Sequence, residues 1–103
     1  MHINEFARIN HERSASRDEK GIFNWEYHAI AMAGEAGELL NILKKVKRGD
    51  FPLDEKKVAD EAVDVITYGF LLLSSLGLDA EEAIMTKYEE VNRRLEKGGF
   101  GKR

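Results

Sequence analysis

From Ala62 to Leu73 nearly every residue is apolar or small, so a helix over this stretch has no evident solvent face. A helix that is hydrophobic all round has to be covered on several sides. The chain has 103 residues, enough for one domain spanning 1–103 and little more. A domain of that size buries roughly 60–65% of the surface its unfolded chain exposes, so its own core is thin. Three further short helices are hardly enough to cover the apolar one, and the expectation is a homodimer or a homotetramer with this helix at the subunit contact.

Breakers are sparse and divide the chain into helical blocks. The first is expected from Ile3 to Ser14, with Ile3, Phe6, Ala7 and Ile9 as a weak apolar stripe, followed by a polar loop from Ser14 to Asn24 that contains Gly21. Asn24 is a good N-cap for a second helix that ends before Gly49. Its last turns carry Lys44, Lys45, Lys47 and Arg48, which complement the helix dipole. Gly49-Asp50-Phe51-Pro52 is a turn, and a third helix follows from about Leu53 to Leu76, closed by Gly77. Asp79 opens the fourth, with Glu82 at capping-box spacing, and that helix runs to about Lys97, where Gly98-Gly99 ends it and leaves a short basic tail. No strand-like alternation interrupts this order. The fold class is all-α, a four-helix bundle.

Two acidic couples lie where a core should be. Glu35 and Glu38 are three apart in helix two; Glu61 and Asp64 are three apart in helix three. Each couple shares one helix face. Extended by helical steps, the first lies on Ala31, Glu35, Glu38 and Ile42, and the second on Val58, Glu61, Val65, Tyr68 and Leu72. A single Glu-x-x-Glu is ordinarily a solvated face. For two couples on apolar stripes of successive helices, joined by a tight turn and hence antiparallel, solvated faces or pairing with nearby lysines become the lesser reading. An unpaired buried carboxylate is remedied by pairing, protonation or a metal ion. All-oxygen ligands favour hard cations, Mg2+ first, then Mn2+ or Ca2+. A di-iron bundle needs Glu-x-x-His couples, and neither couple has the histidine.

Composition excludes other chemistries. With no cysteine there is no disulfide, thiolate metal site or cysteine nucleophile. The net charge of −3 argues against broad nucleic-acid binding, for which only Lys44 to Arg48 and the tail from Lys97 to Arg103 speak. Met1 to Arg17 has no signal-peptide character, and Ala62 to Leu78 is shorter than the ~20 residues that span a bilayer, so no membrane association and a cytoplasmic location are expected.

The arrangement Glu-x-x-Glu, then 22 residues, then Glu-x-x-Asp resembles the signature of the all-α, MazG-like nucleoside triphosphate pyrophosphohydrolases. The surrounding segments GEAGELLNIL, DEAVDVITYGFLLLSSLGLDAEEAI and KYEEVNRRLEKGGF carry the likeness from roughly Trp25 to Phe100. The resemblance implies a MazG-like bundle assembling as a homodimer or dimer of dimers. It implies Mg2+-dependent hydrolysis of (deoxy)nucleoside triphosphates between the α- and β-phosphates, releasing a monophosphate and pyrophosphate, in the service of nucleotide-pool cleaning. Glu35, Glu38, Glu61 and Asp64 match the metal-binding acids; a carboxylate not fully engaged with metal takes the water's proton, and Glu38 and Glu61 are the catalytic candidates with Glu38 read as the base, although the sequence does not separate the four. Lys87 and Asn92 match nucleotide-binding positions of the last helix.

Arg94 lies seven residues after Lys87 on one stripe and is placed to face the phosphates with it, whereas Asn92 falls about 140° away around the helix. The arginine that family members often carry three positions after that asparagine is replaced here by Leu95. Trp25, His28 and Tyr68 complete the expected substrate pocket, although Trp25 also reads as a packing residue and His28 as a surface or hydrogen-bonded histidine. The alternative to an enzyme is a non-catalytic, metal-stabilised helical interaction module.

Overall fold

The computed structural model describes residues 1–98; Gly99 and the basic tail expected after the fourth helix lie outside them. There are four helices and, among the described residues, no strand: α1 (Ile3–Arg17), α2 (Trp25–Lys47), α3 (Glu55–Ser75) and α4 (Ala80–Glu96). The chain is all-α, as its sequence implies.

The helix starts follow local capping chemistry. Asn24 accepts a hydrogen bond from the Tyr27 N–H at 2.9 Å, Asp54 from Lys57 at 3.2 Å and Asp79 from Glu82 at 2.9 Å. Each side chain satisfies one of the donors that a helix N-terminus leaves without a partner. Helix three accordingly begins at Glu55, two residues later than expected, because Asp54 serves as its cap. At the other ends Gly49 and Gly77 adopt φ values of 83° and 75°, the left-handed turn that stops α2 and α3. Helix α1 runs three residues past Ser14, to Arg17, since nothing in Ala15-Ser16-Arg17 breaks it. It stops at Asp18, whose carboxylate instead accepts from the Ile22 and Phe23 N–H groups at 2.8 and 3.1 Å and folds the following loop.

Helices α2 and α3 form an antiparallel hairpin and supply most of the tertiary packing. The register is visible in its cross-pairs, His28 with Tyr68 and Glu35 and Glu38 with Glu61, and the long Met32 side chain reaches along the groove to Gly69. Helix α1 lies against α3, where Phe6 and Phe70 pack edge to face at 5.4 Å. The Asn4 side chain ties it to the start of α4, donating to the Asp79 carboxylate at 3.1 and 3.2 Å and accepting from the Glu81 N–H at 3.0 Å.

Helix α4 leaves α3 at 106° and makes no close approach to α2. Within one protomer, therefore, three helices pack and the fourth projects. The radius of gyration is 16.7 Å, against about 13 Å for a compact chain of this length. Buried apolar residues are correspondingly few: Ala7, Leu71 and Ala80. Large apolar side chains stand open instead, including Ile30 at 73% exposure, Leu40 at 65% and, on α3, Val63 and Ile66 at 52% and 54%. Among the described residues no single helix is long and apolar enough to cross a membrane.

Candidate functional site

The hairpin brings three of the four expected acids together. Glu35 and Glu38 on α2 and Glu61 on α3 each offer a carboxylate oxygen, and these oxygens lie within 4.8 Å of one another. Glu35 and Glu61 are half-buried and Glu38 is exposed, so the cluster opens to solvent on the Glu38 side. Asp64 is also exposed and lies outside this tight group, one turn further along α3. Its charge is nevertheless felt by Glu35 and by Tyr68.

Electrostatics at the cluster are unfavourable to the bare carboxylates. Burial, and then the Glu61 carboxyl beside it, push the Glu35 pKa up to about 7, with Glu38 and Asp64 adding repulsion. Oε2 of Glu61 is shielded from solvent and has no hydrogen-bond donor. A buried acceptor facing further acceptors calls for a proton or a cation between them. The donor set is all oxygen and open on one side, which fits a hard divalent ion with room for a ligand. Glu35, Glu38 and Glu61 would hold it, with Asp64 adjacent.

Beside the acids, bounded by α1, α2 and α3, is a cavity of about 200 Å³. Its walls include Arg13, Arg17, Phe23, Tyr27, His28 and Tyr68. Phe23 stacks on Tyr27 at 4.6 Å with 27° between the rings, and His28 lies 6.2 Å from Tyr68. His28 is 2% exposed, so of the two readings its sequence context offered, surface or hydrogen-bonded, the surface one is excluded. Burial lowers its pKa, against the opposite pull of the Phe23 backbone beside the ring, so the imidazole is neutral at pH 7. Its Nδ1 has no hydrogen-bond partner. Burial likewise raises the Tyr68 pKa, so the phenol keeps its proton.

Of the expected substrate residues, His28 and Tyr68 meet in this cavity and the others lie elsewhere. Trp25 is 47% exposed at the first turn of α2 and lines no part of the cavity, and it does not pack as a core residue either. Phe23, folded back by the Asp18 turn, and Tyr27 stand in the wall where an aromatic was expected. Lys87 sits on α4 in a shallow recess with Asp79 and Glu82, and pairs with Glu90 at 3.7 Å. Asn92 and Arg94 are half-buried further along α4. Because α4 does not approach α2, none of these three joins Glu35 and Glu38 within one protomer. Arg13 and Arg17 were not singled out by sequence. Their i, i+4 spacing was the available signal, and it is indistinguishable from an ordinary solvated helix face.

Comparisons with protein-family models, with curated proteins and with solved structures return no match for this chain.

Proposed function

We propose that the protein is a Mg2+-dependent nucleoside triphosphate pyrophosphohydrolase of the MazG-like kind, acting in the cytoplasm on the nucleotide pool. The observation that carries this reading is the juxtaposition of the Glu35, Glu38 and Glu61 carboxylates with an aromatic-walled cavity along the same helix hairpin. A triphosphate needs its negative charge neutralised, and a planar base needs a flat apolar slot; the two features lie side by side.

The division of labour follows from burial. Glu35 and Glu61, fixed in the helix interface, hold the cation, and Asp64 adds charge beside them. Bound Mg2+ supplies charge neutralisation at the phosphates and a more acidic water. Glu38, on the open side of the cluster, takes the proton of the attacking water as the bond between the α- and β-phosphates breaks, releasing nucleoside monophosphate and pyrophosphate.

The reading includes assembly as a homodimer or dimer of dimers. Three buried apolar residues among those described make a meagre core, and Val63, Ile66, Ile30 and Leu40 present apolar area that a second copy would cover. The projecting α4 of one protomer then delivers Lys87, Asn92 and Arg94 to the acids of another. Incubation with a panel of ribo- and deoxyribonucleoside triphosphates, with Mg2+ and with chelator, tests the activity through pyrophosphate and monophosphate release. Metal binding and assembly without release of either product would favour the second reading, a non-catalytic metal-stabilised interaction module, for which the exposed apolar faces speak.

A further inference from the structure

The cavity beside the acids has a chemical character of its own. Arg13 and Arg17 lie one turn apart on α1 and both line it. Among the described residues neither forms an ion pair, and no carboxylate lines the cavity. The acids next to them in sequence are engaged elsewhere, Glu12 by Arg8 and Asp18 by the Ile22 and Phe23 N–H groups. Two like charges at i, i+4 repel, and hydrogen-bond acceptors between them relieve that cost. A guanidinium offers five donors and no acceptor. The nearly fully buried His28 ring forms part of the same cavity wall. The walls include flat rings: Phe23 on Tyr27 and His28 against Tyr68.

Position along the hairpin fixes which part of a ligand reaches this place. His28 precedes Glu35 by seven residues and Tyr68 follows Glu61 by seven, so the cavity lies about 10 Å from the acids along both helices. With the phosphates at the acids, that displacement brings the base between the rings. The volume of about 200 Å³ suits a planar heterocycle and not a whole nucleotide.

We infer that Arg13 and Arg17 select a 6-oxopurine base, guanine or hypoxanthine. The inference rests on the pyrophosphohydrolase reading for the placement of the phosphates. Its chemical ground is the guanidinium fork. Guanine and hypoxanthine present two adjacent acceptors, O6 and N7, which match two parallel N–H donors. Adenine sets an amino donor beside N7 and so turns a donor toward the arginines; cytosine has an adjacent acceptor pair, O2 and N3, but O2 flanks the glycosidic nitrogen, so the pair lies on the sugar side of the ring and not on the outer edge that O6 and N7 occupy. Uracil has no such adjacent pair on its open edge.

The test uses the full chain with Mg2+ and compares kcat/KM for GTP and ITP with that for ATP, CTP and UTP. The expected result is a preference for the oxopurines of about 10- to 100-fold, the discrimination one bidentate contact supplies. In Arg13→Ala and Arg17→Ala that preference falls toward one. Arg13→Lys, which keeps the charge and loses the fork, reduces it as well, and unchanged melting curves separate this effect from misfolding. Hydrolysis of ATP and CTP as fast as GTP would overturn the inference and leave the pyrophosphohydrolase reading standing. Hydrolysis of none would overturn that reading instead. Calorimetric titration with GMP, IMP, AMP and CMP then decides the base preference without turnover: tighter binding of GMP and IMP, weakened in the arginine variants, supports it, and equal or absent binding refutes it.

Discussion

Glu35 and Glu61 face each other across the α2–α3 hairpin as two acceptors with no donor between them. Oε2 of Glu61 is cut off from solvent without a partner, and the Glu35 carboxyl is held up to about 7 by burial and by Glu61 itself. Their meeting results from helix register: positions 35 and 61 are level in an antiparallel pair that also brings 28 to 68.

The pair gives a pH-dependent stability of known sign. A carboxyl whose folded pKa is raised contributes its stability below the unfolded value, near 4.5, and loses it as pH rises through about 7. In chelator, melting temperature should therefore fall between pH 5 and pH 8 more steeply in the native protein than in Glu35→Gln, which has no charge to develop. Added Mg2+ should remove that fall in the native protein, because the cation favours the ionised carboxylates. Identical pH profiles for the two proteins in chelator would show that Glu35 ionises without penalty.

Glu38→Gln and Glu61→Gln should each lower turnover by about 10²- to 10⁴-fold, the range a general base or its positioning partner contributes. Neither change should alter the far-ultraviolet circular dichroism, since both helices keep their caps at Asn24 and Asp54. A variant that keeps its activity removes its residue from the catalytic set.

Sedimentation at micromolar concentration should give a dimer or tetramer. Ile66→Glu, which puts a charge on the open face of α3, should shift the protein toward a smaller and less stable species. A native chain that sediments as a well-folded monomer contradicts the assembly.

Inactive Lys87→Ala and inactive Glu61→Gln proteins, unfolded together and refolded, should regain activity. If α4 serves the neighbouring subunit, a hybrid assembly contains one site with both native residues. A mixture that stays inactive, although each protein assembles, would mean that α4 acts on its own protomer after a rearrangement of the α3–α4 turn.

The helices and half of the candidate site were legible in the sequence because their signals are local. Asn24 and Asp79 cap helices through atoms three residues away, and Gly49 and Gly77 end them through their own backbone angles; the Asp54 cap obeys the same local rule but was not read, which put the start of helix three two residues early. The acidic couples were equally visible, since an i, i+3 spacing on an apolar stripe needs only one helix to be read. That the couples come together follows from two successive antiparallel helices; that Glu35 and Glu38 meet Glu61 while Asp64 stays outside was set by packing.

What only the tertiary structure decided depends on where separate elements dock. The angle between α3 and α4 comes from how the turn at Gly77 is held by the Asn4 clamp, a contact 75 residues apart in the chain. Trp25 points out while Phe23 turns in because Asp18 captures two backbone N–H groups and folds the loop back. Arg13 and Arg17 became cavity walls through the docking of α1 on α3, where Phe6 meets Phe70. Periodicity tells which side chains share a face; which foreign face they meet is set by packing between segments distant in sequence, and no local pattern encodes it.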